Sequence, residues 1–343
     1  MNETEVVTMK TKSGASCMKE KSFSGVIFAA LVVSFASIKP LMAQVSSSSG
    51  DNAFNGALQN GFKEISAKAL PLKASVHAVD QKTLDLLDSE LVQAAMSNNL
   101  GEVQYLLSRG ADANAREKGT GITPLMGAAQ NGSAGMIQAL LARGADVNAE
   151  DNISQTALMF VTSKDAAIEL LVNHADVNVR DNNGKTALMF AVDNMHVDVA
   201  IEIMAHQADV NAQNDQGDTS LMIAAWHGSV NMTEILLAHQ ADMNIQDVYG
   251  DSALMYAVTE CHEGAAKVLL SHRADVNLKS NNGDTALTLS AKKDCVMIVN
   301  DLLTSGQDMS AQDKSVALAI ALDNGYADEA QLLRAHGAMK LNP

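Results

Sequence analysis

The sequence predicts an all-α protein, built as a solenoid of about eight stacked helix–turn–helix units. One short unit recurs with a period near 33 residues, which is typical of stacked repeats and not of a single globular core. The chain has only 4 prolines among 343 residues, so helices are favoured throughout. Aromatic residues make up 3% of it, and thin layers of small aliphatic side chains are therefore expected between the helices.

The stretch Thr219–Asn244 shows the repeating unit most clearly. Leu221, Ala224 and Ala225 have the i, i+3, i+4 spacing of one helix face, and a second helix of the same kind follows the turn at Gly228. Each helix is about ten residues long, and isolated helices of this length are marginal in water. The unit therefore needs a neighbour on each side.

Each unit begins with a hydroxyl residue, followed two positions later by an apolar one. The hydroxyl oxygen is expected to cap the first helix by accepting a backbone N–H of its first turn. These anchors are Ser89, Thr123, Thr156, Thr186, Thr219, Ser252 and Thr285, with Val316 in the equivalent place of the last unit. The third unit lacks three residues between Thr162 and Ala166, which predicts a truncated first helix there.

Two further patterns predict how the units pack. Paired alanines let neighbouring helices approach closely, and paired leucines in the second helices supply a continuous core. The alanine pairs are Ala94/Ala95, Ala128/Ala129 and Ala224/Ala225. The leucine pairs are Leu106/Leu107, Leu140/Leu141, Leu170/Leu171, Leu236/Leu237, Leu269/Leu270, Leu302/Leu303 and Leu332/Leu333.

The units also end alike, with ADVNA or a close variant after the second helix. The combined pattern D-x-x-G-x-T-x-L-x-x-A-A, helix, turn, helix, G-A-D-V-N resembles the ankyrin repeat. The resemblance extends over about Asp88–Ala338, and the clearest copies are Asp181–Asn211 and Asn214–Asn244. It implies an ankyrin-repeat solenoid of antiparallel helix pairs with projecting β-hairpin loops.

Methionine stands where the ankyrin family usually has a histidine after T-P-L. Because a thioether lacks the polar bond that an imidazole makes, weaker polar ties between repeats are expected. Adaptable packing is the favoured interpretation of these methionines, and a copper-binding or oxidation-sensing role is the alternative. The row consists of Met126, Met159, Met189, Met222 and Met255.

The end of the second helix also departs from the family pattern. The usual glycine is replaced in the middle repeats, where the substitutes are expected to adopt a left-handed backbone conformation. These residues are His174, Gln207, Gln240 and Arg273. Histidines recur just before the end of the second helix and are expected to face its negative terminus, with a metal or pH-sensing ladder as the alternative. They are His206, His239, His272 and His336.

Two cysteines, Cys261 and Cys295, lie near the helix–helix turns of adjacent repeats, one position out of register. A disulfide needs Cα atoms within about 7 Å of each other, and the spacing between repeats would strain such a bond. Two free thiols are therefore expected, although an oxidising compartment would permit the disulfide.

The first fifty residues do not belong to the repeat pattern. Lys19 and Lys21 precede the apolar run Gly25–Ile38, and the small residue Ala43 follows as the expected cleavage site. This layout predicts that residues 1–43 form a secretory signal peptide. A transmembrane anchor is the alternative, but the run has about 14 residues, whereas roughly 20 are needed to span a bilayer.

The sequence divides the rest of the chain into three parts. Residues 44–51 are a Ser-rich flexible linker, and residues 52–87 hold an amphipathic helix and a connector. This helix is expected to pack on the first repeat, and a separate docking element is the alternative. Residues 88–340 form the ankyrin-repeat domain. Both Met1 and Met18 are candidate translation starts.

The charge and motif content of the chain limits the kinds of function. The formal net charge is −16, which argues against a nucleic-acid partner because such partners require clustered Lys and Arg. No phosphate loop, G-x-S-x-G or H-E-x-x-H motif occurs. We therefore predict no catalytic residue, no metal, no cofactor and no stable membrane insertion after signal cleavage.

The remaining candidate site is a protein-binding surface. In the ankyrin family, partners are bound by the loop tips and by exposed positions late in the first helix. Carried onto this chain, these positions give the candidates Trp226, His227, Tyr249, Asp193, Asn194, Glu260, Lys292 and Lys293. Trp226 and Tyr249 are expected to form one patch, and the alternative is that Trp226 only covers the seam between repeats.

These observations together predict a non-enzymatic protein–protein interaction scaffold. We expect a monomer that is exported to the periplasm and binds a partner protein through its concave ankyrin surface. A secreted effector that binds host proteins is the alternative, and an enzyme or metal protein on the same scaffold is a third hypothesis.

Overall fold

A computed structural model describes residues 81–339. The predicted signal peptide, the linker and the amphipathic helix at residues 52–69 lie outside the described residues. Residues 81–339 form fifteen α-helices and one 3-10 helix, with no strand among them. The helices come in eight antiparallel pairs, which confirms the predicted all-α repeat solenoid.

The eight pairs have these bounds. The first helices are α1 (Gln81–Met96), α3 (Pro124–Gln130), the 3-10 helix Ala157–Phe160, α6 (Ala187–Asp193), α8 (Ser220–Trp226), α10 (Ala253–Thr259), α12 (Ala286–Lys293) and α14 (Ala311–Asn324). The second helices are α2 (Leu100–Ser108), α4 (Ala134–Leu141), α5 (Lys164–Val172), α7 (Val197–Ala205), α9 (Val230–Ala238), α11 (Glu263–Ser271), α13 (Val296–Thr304) and α15 (Ala327–Ala335).

Each first helix packs against its own second helix and against the first helix of the next repeat. All three alanine pairs are buried, and every leucine pair places at least one member in the core. The methionine row is buried as well, as adaptable packing predicts. None of the described helices is both long enough and apolar enough to cross a membrane.

Four of the predicted anchors cap their helices. The hydroxyl oxygens of Thr123, Thr186, Thr219 and Thr285 each accept the N–H of the third residue that follows. Thr156 and Ser252 sit at the N-cap position without this bond. The prediction for Ser89 is wrong, because helix α1 already begins at Gln81 and Ser89 lies inside it. In the last repeat the cap is Ser310, upstream of the predicted Val316.

Methionine contributes more to these caps than we expected. The Sδ atoms of Met126 and Met222 lie 3.4 Å from the N–H donors of Thr123 and Thr219. The thioether therefore accepts the N-cap N–H, a role that a polar side chain fills in a capping box. These bonds lie within one helix start and not between repeats, so they do not replace the inter-repeat bond that a histidine would make.

The third repeat is irregular, as the three-residue deletion predicts. Its first helix is only the 3-10 helix Ala157–Phe160, with i→i+3 hydrogen bonding in place of a full α-helical turn. The Thr156 hydroxyl oxygen is buried there and has no hydrogen-bond partner. This repeat therefore lacks the cap that its neighbours on both sides have.

The loops between repeats are tight turns held by a single side-chain oxygen. The Oδ1 atom of Asp181 accepts the N–H groups of both Asn183 and Lys185, at 2.9 and 2.8 Å. Equivalent oxygens do the same in the neighbouring loops, on Asp151, Asn214 and Asp247. The predicted β-hairpins are thus reduced to turns, with one isolated antiparallel bridge between Gln246 and Ser252 among the described residues.

Successive loop tips are hydrogen-bonded to one another. The N–H of Val248 donates to the carbonyl of Gln216 at 3.0 Å, and the N–H of Asn281 donates to the carbonyl of Tyr249 at 2.8 Å. Gly217 lies at such an approach, where an added Cβ would come within 2.8 Å of the Asp247 Cα atom. Glycine is required at this turn because its φ is +81° and no side chain fits.

Asparagines of the A-D-x-N segments form a second ladder between repeats. The Oδ1 atom of Asn178 accepts the N–H of Asp209 in the next repeat at 2.8 Å, and its Nδ2 donates to the Gln207 carbonyl at 3.3 Å. The same acceptor bond recurs at Asn114, Asn148, Asn211 and Asn244. These asparagine bonds therefore provide polar contacts between repeats that do not depend on the methionine position.

The second helices end as predicted. His174, Gln207, Gln240 and Arg273 have φ between 66° and 68°, in the left-handed region. The four recurring histidines are the C-cap residues of α7, α9, α11 and α15, and their Nδ1 atoms lie 2.9–3.0 Å from the carbonyl oxygen four residues earlier. Because a carbonyl only accepts, each Nδ1 carries a proton and donates it to a carbonyl of the last turn at the negative helix end.

The expectation of two free thiols is wrong. Cys261 and Cys295 form a disulfide, with their Cα atoms 5.6 Å apart. Cys261 lies in the turn before α11 with φ of +53°, and Cys295 is the N-cap residue of α13. At these two residues the turns are closer than the full spacing between repeats that we assumed. The bond therefore fits two neighbouring turns.

One buried carboxylate is without a partner near the end of the array. The Glu329 side chain in α15 is fully buried, and neither of its oxygens has a hydrogen-bond partner. Burial, with a smaller contribution from the negative charge of Asp294, raises the pKa of Glu329 to about 7. The neutral form is the one that fits this site.

We expect Glu329→Gln to remove a pH dependence of the parent's stability. Since the folded pKa lies above that of an unfolded carboxyl, the stabilising contribution is complete below about pH 4.5 and is lost as pH rises through about 7. Urea unfolding at about pH 5 and pH 8 should show the parent weakening relative to Glu329→Gln. The control is Glu234→Gln, at an exposed position of α9. Parallel pH profiles for parent and Glu329→Gln would contradict this expectation.

Removing the disulfide should destabilise the sixth and seventh repeats. The bond closes a loop between residues separated by 34 positions, and a loop of this size is worth about 2–4 kcal/mol through the unfolded state. We expect Cys261→Ser/Cys295→Ser to lower the free energy of unfolding by that amount. Addition of reductant should do the same to the parent and leave the double variant unchanged. Titratable free thiols in the untreated parent, beyond the single thiol of Cys17 in a chain that keeps its first 43 residues, would contradict the assignment.

Candidate functional site

A groove lies across the first helices of the fourth to sixth repeats. It has a volume of about 280 Å³. Its floor is apolar and its loop side carries charged and amide groups, contributed by the residues that precede each helix. The lining consists of Lys185, Asp193, Asn214, Asp218, Met222, Ile223, Trp226 and Tyr256.

Trp226, the last residue of α8, forms one wall of the groove. Its ring packs edge-on against Tyr256 of the next repeat, with ring centroids 6.0 Å apart and planes at 79°. The side chain remains 45% exposed. Trp226 therefore covers the seam between the fifth and sixth repeats and also presents an aromatic surface to solvent.

The aromatic partner of Trp226 is Tyr256 and not Tyr249. Tyr249 stands at a loop tip, is 59% exposed and does not line the groove. Tyr256 is not among the site residues predicted from the sequence, although its position in the repeat carries a signal. Tyr256 occupies the fourth position after its anchor, and this position is large and apolar in the neighbouring repeats, as Phe160, Phe190, Ile223 and Leu289.

The Tyr256 hydroxyl lies between two carboxylates. It is 2.8 Å from Asp218 Oδ1 and 2.8 Å from Asp247 Oδ2. One phenol proton can satisfy only one of these acceptors at a time. Burial and the two hydrogen-bonded carboxylates raise the pKa of Tyr256 far above its ordinary value, so the phenol keeps its proton.

Negative charge accumulates along the loop side of the groove. Asp218, Asp251 and Asp284 each precede the anchor residue of successive repeats. Burial and the nearby charges of Asp247 and Asp284 raise the pKa of Asp251. Neighbouring carboxylates therefore oppose each other's ionisation here. The positive charge nearby is too small to balance them.

Asp193 and His227, two predicted site residues, meet at one end of the groove. Asp193 Oδ1 lies 3.0 Å from His227 Nε2, and Asp193 Oδ2 lies 3.3 Å from Lys185 Nζ. Burial raises the pKa of Asp193, but the His227 hydrogen bond and the Lys185 charge outweigh it and the net shift is downward. Lys185 Nζ also lies 5.6 Å from the centre of the Phe190 ring.

The other predicted residues lie outside the groove lining. The Asn194 side chain donates to the Phe190 carbonyl at 2.9 Å and so completes its own helix end. Lys292 donates to both carboxylate oxygens of Asp284 at 2.7 Å. Glu260 and Lys293 are exposed near the ends of α10 and α12. The structure thus brings together Asp193, Trp226 and His227 only.

The chemistry of the groove is suited to binding. Besides Lys185, acidic, amide and aromatic groups line it, and such groups hold a cationic or polar side chain by noncovalent contacts. No group of three or more His, Cys, Asp or Glu within residues 81–339 is arranged to hold a metal ion.

The comparisons agree with this architecture. The family model described as Ankyrin repeats (3 copies) matches six overlapping segments, residues 54–151, 91–181, 125–214, 162–247, 201–280 and 221–313. The comparison with curated proteins found no match. The family matches run from residue 54 to residue 313, more than half of the chain, and within the described residues they include the first seven helix pairs. This protein therefore belongs to the ankyrin-repeat family.

Proposed function

We propose that this protein is a non-enzymatic scaffold that binds a partner protein. The binding surface consists of the groove and of the first helices and loop tips that adjoin it in repeats three to seven, and it is called the groove face. The half-exposed Trp226 carries the proposal, because a large aromatic side chain at a partly open seam is a common centre of binding energy. Ankyrin repeats generally mediate protein–protein interaction, which supports this assignment.

Rigid support around the groove also favours a binding role. Tyr256 fixes the Trp226 ring from one side, and the Asp193 carboxylate is held by His227 and Lys185. Side chains that are fixed before binding lose little entropy when a partner arrives. We propose that the protein acts as a monomer.

We further propose that the chain is exported to the periplasm by a signal peptide cleaved after Ala43. The basic residues, apolar run and small residue near the start of the sequence support this. The Cys261–Cys295 disulfide adds independent support, because such bonds persist in oxidising compartments.

Partner capture tests the scaffold proposal. We expect Trp226→Ala to weaken partner recovery at least about tenfold, as loss of a binding hot spot does. The matched control is Tyr105→Ala, which removes an aromatic ring of similar exposure from α2, a second helix away from the groove. The control should recover the partner as the parent does. Equal recovery by Trp226→Ala and the parent would end the proposal.

Fractionation and N-terminal sequencing test the export proposal separately. The expected result is a periplasmic protein that begins at Gln44. A cytoplasmic protein that retains residues 1–43 would contradict export. Protein in the medium or in host cells would favour a secreted effector.

A further inference from the structure

The groove face has an apolar row that crosses several repeats. The row is formed by the residue four positions after the anchor in repeats three to seven, namely Phe160, Phe190, Ile223, Tyr256 and Leu289. Each of these side chains packs against the core and leaves part of its surface open to solvent. Trp226 adds its exposed ring beside Ile223 and Tyr256 in the groove. A strip of this kind fits an extended segment that runs across the repeats.

The loop side of the row changes its charge from repeat to repeat. The residue before the anchor is Lys185 in the fourth repeat, followed by Asp218, Asp251 and Asp284. Since these residues are equivalent in the repeat, they flank the apolar row at regular intervals. A segment lying on the row would therefore meet an acidic edge over the fifth to seventh repeats.

The fourth and seventh repeats neutralise their own carboxylates. In the fourth, Lys185 pairs with Asp193 at 3.3 Å while its Nζ faces the Phe190 ring. In the seventh, Lys292 pairs with Asp284 at 2.7 Å. Both repeats thus use an internal lysine to satisfy a carboxylate, and the fourth also sets the cation against an aromatic ring.

The fifth and sixth repeats have the same chemistry without the cation. Asp218, Asp247 and Asp251 form no ion pair within residues 81–339, although the two rings of Trp226 and Tyr256 stand beside them. The single Tyr256 proton is shared between Asp218 and Asp247. Asp218 and Asp251 themselves occupy the position that Lys185 has one repeat earlier, and no lysine or arginine of residues 81–339 pairs with them.

We infer that the groove receives a lysine or arginine side chain from an extended basic segment of the partner protein. Its cationic head pairs with Asp218 in the groove lining, with the charge of Asp251 adding to the acidic edge, and its aliphatic stem lies against Trp226 and Tyr256. The net charge of −16 attracts such a segment to the face from a distance. This inference rests on the proposed scaffold function and names the chemistry of its partner.

Labelled peptides test the inference directly on the full chain. The probes are three acetylated and amidated peptides of the form (Gly-Ser-X)3, in which X is arginine, lysine or the uncharged arginine isostere citrulline. Fluorescence anisotropy at low salt measures their binding. We expect the arginine and lysine peptides to bind at least about tenfold more tightly than the citrulline peptide.

Charge-matched variants separate the groove from the general acidity of the protein. Asp218→Asn/Asp251→Asn should lose at least about tenfold in affinity for the arginine peptide. The control Asp165→Asn/Asp198→Asn removes the same charge from exposed positions of α5 and α7 and should stay within about twofold of the parent. Circular dichroism melting verifies that both double variants fold.

Either of two results would overturn the inference. One is equal binding of the arginine and citrulline peptides, and the other is equal loss in the groove and control variants. Failure here is distinguishable from failure of the scaffold proposal. A partner that is captured by Asp218→Asn/Asp251→Asn but lost by Trp226→Ala would leave the scaffold standing and exclude the cationic side chain.

Discussion

Burial of small apolar faces between neighbouring repeats is the interaction on which the rest of the structure depends. Between the first and last repeats, every α-helix has only seven to nine residues, too few to be stable in water by itself. Each helix pair gains its stability by covering the alanines and leucines of the next pair. Longer first helices, α1 and α14, stand at the two ends, where one neighbour is missing from the described array.

Polar groups set the register in which these apolar faces meet. The side-chain oxygens of the loop residues fix each turn, and the asparagine ladder joins each turn to the next. Such bonds add little net stability when water competes for the same groups, but a mismatched register would leave several of them unmade. The groove depends on this register, because Trp226 and Tyr256 come from different repeats and meet only when both are correctly placed.

Features that repeat along the chain could be predicted from the sequence. The period, the four working threonine caps, the shortened third repeat and the left-handed residues such as Gln207 all follow from local patterns. Features that depend on distances between repeats could not. The disulfide requires the spacing of two turns, and the Tyr256 contacts require three separate segments to converge. The prediction that Ser89 caps a helix was wrong for a related reason. The first helix of an end repeat need not begin at the same position as that of a middle repeat.

The disulfide has a consequence for how the array tolerates damage. It joins Cys261 in the sixth repeat to Cys295 in the seventh, and the exposed tip at Asn281 and Asn282 lies between them in sequence. A protease that cut this tip would leave both fragments in one covalent piece, with the helices on either side still held in contact. The acidic part of the groove face would therefore survive a cleavage that separates the fragments of an unlinked solenoid.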